Sequence, residues 1–542
     1  MRYLALLLSL GMGAAEIDPP ERAARLNLLQ GEVSFREAGG SDWAEATVNR
    51  PLVGGDALWV TGGGRAELHV GSTAVRLGPG TAFQFLELDD RTVRIRLSEG
   101  RVTVRLRNLP AGQIFEIATP NLALALIRPG EYRVDANPAL ERTAVIVRGG
   151  EVEVTEGGRT YPVAARQQVT VSGAGRQLDL APPEDDWDTW CAARDRREDA
   201  APSTKYVSRE MPGYEDLDEY GDWISTAEYG HVWAPRVVTV GWTPYRFGHW
   251  VWIRPWGWTW IDDAPWGFAP FHYGRWGYVG ARWVWIPCPR GVYPVYAPAL
   301  VVWIEVGVGF GWFPLGPREV YVPPWHVSHR YFSRINIHNT VIHQTVINNY
   351  YEYNRNPKHP GAGKIPYMHR DAGRGVTAVP RDVVARGERV GARAIEHRPA
   401  DAVPLVSGPA VQPRREARMD APRPPEAAER RPVVTAPARP ARTPGPVIAT
   451  PPAGRSSRSD PGAVRQPAPQ VTRPPAQERR EPMPQVTRPR AEPRAQPPQT
   501  QPRAQPQPQP RAEPRGQERS PQRAPDRAPD RAPKQDRSPK EQ

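Results

Sequence analysis

Cysteine is almost absent from this chain: two in 542 residues, too few for a disulfide-stapled scaffold and enough for one bridge at most. Long hydrophobic runs are missing as well. No segment reaches the roughly 18 uninterrupted apolar residues that a membrane-crossing helix needs; the nearest, Ala299 to Phe313, is broken by Glu305, Gly307, Gly309 and Gly311. Gly-x-Ser-x-Gly, His-Glu-x-x-His and phosphate-loop patterns do not occur. His326, His329, His338 and His343 have no nearby carboxylate or cysteine to complete a metal pattern. The expectation is a protein that is not an enzyme, with no cofactor, no metal and no transmembrane span.

Charge of one sign is lacking only in part of the chain. Of the 71 Lys+Arg and 59 Asp+Glu, residues 361–542 hold 35 and 19, a net of +16, which leaves −4 for residues 1–360. The basic part repeats Gln-Val-Thr-Arg-Pro at 470–474 and 485–489, and Arg-Ala-Pro-Asp from Arg523. Proline every few residues and few aromatics leave too little apolar surface to offset the entropy of ordering. A disordered basic tail over 361–542 is expected, able to meet an anionic polymer or surface. Arginines spaced by proline without aromatics give no reason to expect a specific nucleic acid.

At the other end, Met1-Arg2-Tyr3, the apolar run Leu4 to Met12 and then Gly13-Ala14-Ala15 have the order of a secretory signal peptide. Residues 1–15 are read as that signal, and the protein as periplasmic or extracellular. An oxidising compartment then admits a Cys191–Cys288 bridge; two buried thiols are the alternative.

Residues 27–173 alternate polar and apolar side chains, as in Arg91-Thr-Val-Arg-Ile-Arg-Leu97, Gly100-Arg-Val-Thr-Val-Arg-Leu106 and Glu151-Val-Glu-Val154, with glycine turns at short intervals. Period-two alternation marks strands with one buried face, and many short strands so punctuated predict an antiparallel sandwich. Arg91, Arg94, Arg96, Arg101, Arg105 and Arg107 read as its solvated face, and no long helix is expected. Gly31-Glu-Val33, Pro51-Leu-Val-Gly-Gly-Asp56, Ala66-Glu-Leu-His-Val70, Leu97-Ser-Glu-Gly100, Phe115-Glu-Ile-Ala-Thr-Pro120 and Arg128-Pro-Gly-Glu-Tyr-Arg-Val134 resemble FecR-type domains. That resemblance implies an all-β extracytoplasmic module, known from iron-citrate signalling to a sigma factor. The relay also needs a cytoplasmic segment and a span ahead of the module; a cleavable signal stands here instead, so the module is expected to carry over and anti-sigma activity is not.

Tryptophan is what the chain has in plenty. Eleven lie between Trp233 and Trp285, and they are ordered: Gly241-Trp-Thr-Pro-Tyr-Arg-Phe-Gly-His-Trp250 recurs as Gly267-Phe-Ala-Pro-Phe-His-Tyr-Gly-Arg-Trp276, with an echo at Gly311-Trp-Phe-Pro-Leu-Gly316. Tyr214-Glu-Asp-Leu-Asp-Glu-Tyr-Gly-Asp-Trp223, Gly241-Trp-Thr-Pro-Tyr245 and Trp256-Gly-Trp-Thr-Trp-Ile-Asp-Asp-Ala-Pro-Trp-Gly267 resemble the uncharacterised family that commonly follows FecR modules in exported bacterial proteins. Tryptophans at alternate positions share one face of a strand. Such a face is either a core or a stacking platform for sugar rings or cations. Trp242, Tyr245, Trp250, Trp258, Phe271 and Trp276 are the platform candidates.

Asp262 and Asp263, adjacent on a strand, point to opposite faces and make no hydrolytic pair. Glu215, Asp216, Asp218, Glu219 and Asp222 read as a solvated acidic linker. Residues 334–350 alternate Ile/Val with Asn/His/Thr and predict one or two strands. The expected organisation is all-β: an antiparallel FecR-like module at 27–173, an acidic linker at 174–230, a Trp-rich β-repeat module at 231–356 and the tail. The expected role is an interaction or structural scaffold at the cell envelope, whose partner is an envelope protein or a cell-wall glycan such as peptidoglycan, or else a component of a signal relay.

Overall fold

The computed structural model describes residues 18–307, 309–356, 367–370, 375–395, 403–404, 408–418 and 434. The segment read as a signal peptide, and nearly all of the tail beyond Arg418, lie outside them. The fold is mostly β, as the alternation predicts.

Strands between Ala24 and Leu180 build a two-layered β module. One strand, Thr92–Leu106, belongs to both layers. Its first half pairs with Thr81–Leu88 and, in parallel, with Ile114–Ala118; its second half pairs with Thr73–Leu77 and Gly130–Asn137. The two alternating stretches in the sequence are therefore one bent strand. Gly100 sits at the bend with φ +90, where a Cβ would come within 2.5 Å of the Gly80 carbonyl oxygen, so only glycine fits. Leu26, Leu68, Val102 and Val134 from one layer meet Phe83, Ile95, Ile117 and Leu124 from the other in the core.

The segment 174–230 is not a solvated linker. It holds the exposed strand Gly175–Leu180, the helix Asp186–Asp199, short helical turns and the strand Gly221–Thr226. Asp185 and Asp188 close a capping box at the helix start. The helix lies on the outer face of one β layer, where the Trp187 indole N–H donates to Thr103 Oγ1 at 2.8 Å. Its buried positions 188, 191, 195 and 198 follow the spacing of one helical face. With Trp187 the buried residues number five, and three of them are acidic, which is why hydrophobic periodicity misses the helix.

The tryptophans sit in three small sheets around one aromatic core. Gly221–Thr226, Gly230–Pro235, Arg282–Ile286 and Arg275–Val279 form the first; Gly248–Ile253 with Gly257–Asp262 is a hairpin; Val301–Val306 and Gly309–Pro314 centre the third. The two repeats match where they end: each closes on a tryptophan that faces another across a hairpin, Trp250 opposite Trp260 and Trp276 opposite Trp285.

Two boundaries shift. Residues 334–350 hold parts of two helices and the turn between them: His329–Ile337, capped by the Ser328 side chain, and Gln344–Arg355. Tyr331 and Ile335, and again Ile347 and Tyr351, lie four residues apart and are buried; this face decides against the strand pattern. The expected tail begins too early, because Thr377–Pro380 pairs with Gly309–Pro314, and Val379, Val383, Val384, Val390 and Ala417 are buried in the aromatic core. The chain joins that core as far as Ala417.

Candidate functional site at the junction of the two cores

All six platform candidates belong to the aromatic core. Tyr245, Trp250, Trp258, Phe271 and Trp276 are buried, and Trp242 is partly buried against them. Trp276 donates its indole N–H to the Pro270 carbonyl at 2.8 Å, and the Tyr245 hydroxyl donates to Phe271 at 2.7 Å. Trp250 packs edge-on to Trp260 and Trp312, with centroids 5.3 and 5.2 Å apart. A stacking platform must reach solvent; at 1 % exposure Trp250 and Trp276 do not. The equivalence of the repeats is an equivalence of core positions.

Cys191 and Cys288 are free and buried in different surroundings. Cys191 is on the helix against the β module; Cys288 donates weakly to Asn339 Oδ1 at 3.5 Å in the Trp-rich module. The expected bridge is absent, and burial pushes each thiol up to about 12.

The polar site that sequence reasoning missed lies where the β module, the segment 186–220 and the Trp-rich module meet. It starts from the outer faces of four neighbouring strands. Arg25 stands opposite His69, Glu67 opposite Arg76, and Arg76 opposite Thr103. Their alternation reads as a solvated face, but the helix and its continuation cover it. Arg76 reaches Glu67 at 2.8 Å and Asp195 and Glu198 at 2.9 Å each. Arg107, expected in solvent, pairs with Glu198 at 2.8 Å and Asp195 at 3.1 Å, and Arg194 pairs with Glu67 at 2.6 Å.

His69 lies inside this network. Its Nε2 is 3.2 Å from Glu67 and 3.6 Å from Glu198, and its Nδ1 is 3.1 Å from Glu215. Burial alone would lower its pKa; the carboxylates of Glu215 and Glu198 outweigh that and hold it well above 6.5. Burial likewise disfavours charge on Glu67, Glu198 and Glu215, and His69 and the arginines reverse the sign and lower all three. Glu67, His69 and Glu198 are close enough to hold a metal ion. Arginine guanidinium groups and the imidazolium already supply the positive charge there, so the site reads as an ion-pair network.

Arg25 carries the network across to the second core. It pairs with Asp216 at 2.6 Å and Glu215 at 3.3 Å, and donates to the Pro265 carbonyl at 3.0 Å. Asn49 accepts from Arg25 and donates to the Ala264 carbonyl at 2.8 Å. Glu215 and Asp216, expected in a solvated linker, are thus buried ties, and Asp218 caps Ser203 from 2.7 Å. Asp262 and Asp263 do face opposite ways. Asp262 is buried, accepts from Trp260 Nε1 and Ala264 N, and is pushed by burial well above 3.8; Asp263 is exposed and pairs with Arg389.

Beside these ties opens a cleft of about 570 Å³, whose charged rim includes Arg194, Arg197, Glu219, Asp263 and Arg389. Among the described residues no serine, cysteine or histidine lines it. Its chemistry is that of a mixed-charge recess between two firmly tied bodies.

A family of unknown function, DUF6600, matches residues 214–319. The match begins at the buried acidic turn and spans both tryptophan repeats. Two crystal structures of a candidate anti-sigma factor from Parabacteroides distasonis match at 22 % and 21 % identity with a TM-score of 0.21, covering 23 % of this chain and 58 % of that one. The chain thus spans 58 % of the length of that protein, and so slight a likeness carries no argument. No curated protein matches the chain.

Proposed function

We propose that this protein is a non-catalytic, exported scaffold of the cell envelope, in which a FecR-type β module and a Trp-rich module act as one rigid body. The observation that carries this reading is the Arg25 tie, a buried guanidinium that holds Glu215, Asp216 and the Pro265 carbonyl together. Buried ion networks add little net stability compared with well-packed apolar groups, but breaking one is costly and their geometry is specific. Such a network suits a device that fixes how two modules dock. Export rests on the sequence of residues 1–15, and the FecR-type reading on the order of strands and turns in residues 27–173.

The glycan-binding alternative loses the aromatics that motivated it, since they form the core. The mixed-charge cleft between the modules suits a polar protein partner better. In-cell crosslinking with a reagent confined to the envelope tests the proposal. The full chain should be captured with one or more envelope proteins through surface positions around Glu219 and Arg389. Recovery of the protein in the cytoplasm, or retention on purified peptidoglycan with no protein partner, would contradict it.

A further inference from the structure

A second cleft, of about 450 Å³, lies between the β module and the hairpin Gly248–Asp262. The β module supplies Glu37, Arg50, Val53, Leu86 and Leu88 to its wall, and the hairpin turn of the first repeat supplies Trp252, Arg254, Pro255 and Trp256. Trp252 is only partly buried, whereas Trp250, on the same face of the strand two residues before it, is buried. Arg254 donates to the Ala38 carbonyl at 3.4 Å, and neither it nor Glu37 has an ion-pair partner among the described residues at this cleft.

The continuous chain arrives at the same place. Arg415 pairs with Asp42 at 2.6 Å, Ala417 is buried, and the Arg418 carbonyl accepts from Arg50 Nη2 at 2.9 Å. Arg50 is itself part of the cleft wall. The residues that follow are Met419-Asp-Ala-Pro-Arg-Pro-Pro425. We propose that this cleft is the docking groove for the chain's own residues 419–425.

Three features fit that occupant. The segment starts at the groove, so docking is intramolecular and its effective concentration is high. Proline at three of seven positions lowers the entropy lost on binding, and aromatic-lined grooves take such segments. Asp420 and Arg423 offer the charges complementary to Arg254 and Glu37. The groove's volume falls within the range of ordinary ligand pockets.

The test uses the full chain with benzoylphenylalanine in place of Leu86, or of Val53 should Leu86 not accept it; both are only partly buried. After irradiation, mass spectrometry should find the label joined to residues 419–425 of the same molecule. Mixing isotopically light and heavy chains separates this from capture of a second copy. Arg423→Glu should lower the yield about twofold to fivefold, the weight of one exposed ion pair. Crosslinks elsewhere, crosslinks only between copies, no crosslink, or a yield unchanged by Arg423→Glu would each overturn the proposal.

Discussion

His69 is the residue on which the junction turns, because its imidazole faces the carboxylates of Glu67, Glu198 and Glu215. Its folded pKa lies well above 6.5, so the stability it contributes is fully present below pH 6.5 and is lost as pH rises through the higher folded value. The carboxylates around it are lowered; their contribution is present above about 4.5 and is lost as pH falls below it. His69→Gln should cost about 3–5 kcal/mol near pH 6, as expected for breaking a buried ion pair. The difference from wild type should shrink as pH rises through the folded pKa of His69; urea titrations at several pH values measure it. A difference that grows with pH would reverse the assignment. The thiols give a second reading at this scale. With both cysteines buried and each pushed up to about 12, the native protein should leave thiol reagents at pH 8 unreacted, and denaturation should release two thiols per chain.

At the scale of elements, the repeats behave as core. Trp250→Ala or Trp276→Ala should each cost about 3–5 kcal/mol, the loss for a buried tryptophan, and near-ultraviolet circular dichroism should lose its aromatic signal. An unchanged melting temperature would return these residues to a surface role. The strand Thr377–Pro380 and the helix Arg381–Arg386 make a second prediction. A chain ending at residue 360 should melt well below one ending at residue 418, since it loses Val379, Val383, Val384, Val390 and Ala417 from the core. These elements also show what the sequence could convey. Strands and repeats were legible because one face of each is apolar. The helix Asp186–Asp199 was not, because its buried face carries Asp188, Asp195 and Glu198, which find arginines far away in sequence. Helix His329–Ile337 was misread because Asn336 in its last turn and Asn339, just past its C-cap His338, are polar although buried. Asn336 accepts from Tyr321 N at 2.7 Å and Asn339 from Gly274 N at 3.0 Å, bonds that no local pattern announces.

At the scale of the whole molecule, the proposed rigid body is one cooperative unit whose two cores are joined by buried charge. The −4 charge of residues 1–360 looks unremarkable in composition, yet it conceals a network in which acids of one segment meet arginines of another. Only the register of the strands, with Arg25 opposite His69 and Glu67 opposite Arg76, brings those groups together. If Arg25 ties the modules, Arg25→Leu should loosen the docking while leaving each core folded. The direct measurement is hydrogen exchange by mass spectrometry across a urea series. It would compare strands of the β module, such as Gly130–Asn137, with strands of the aromatic core, such as Gly248–Ile253. The account predicts one shared midpoint in the wild-type chain and two separate midpoints in Arg25→Leu; two separate midpoints in the wild type would contradict it.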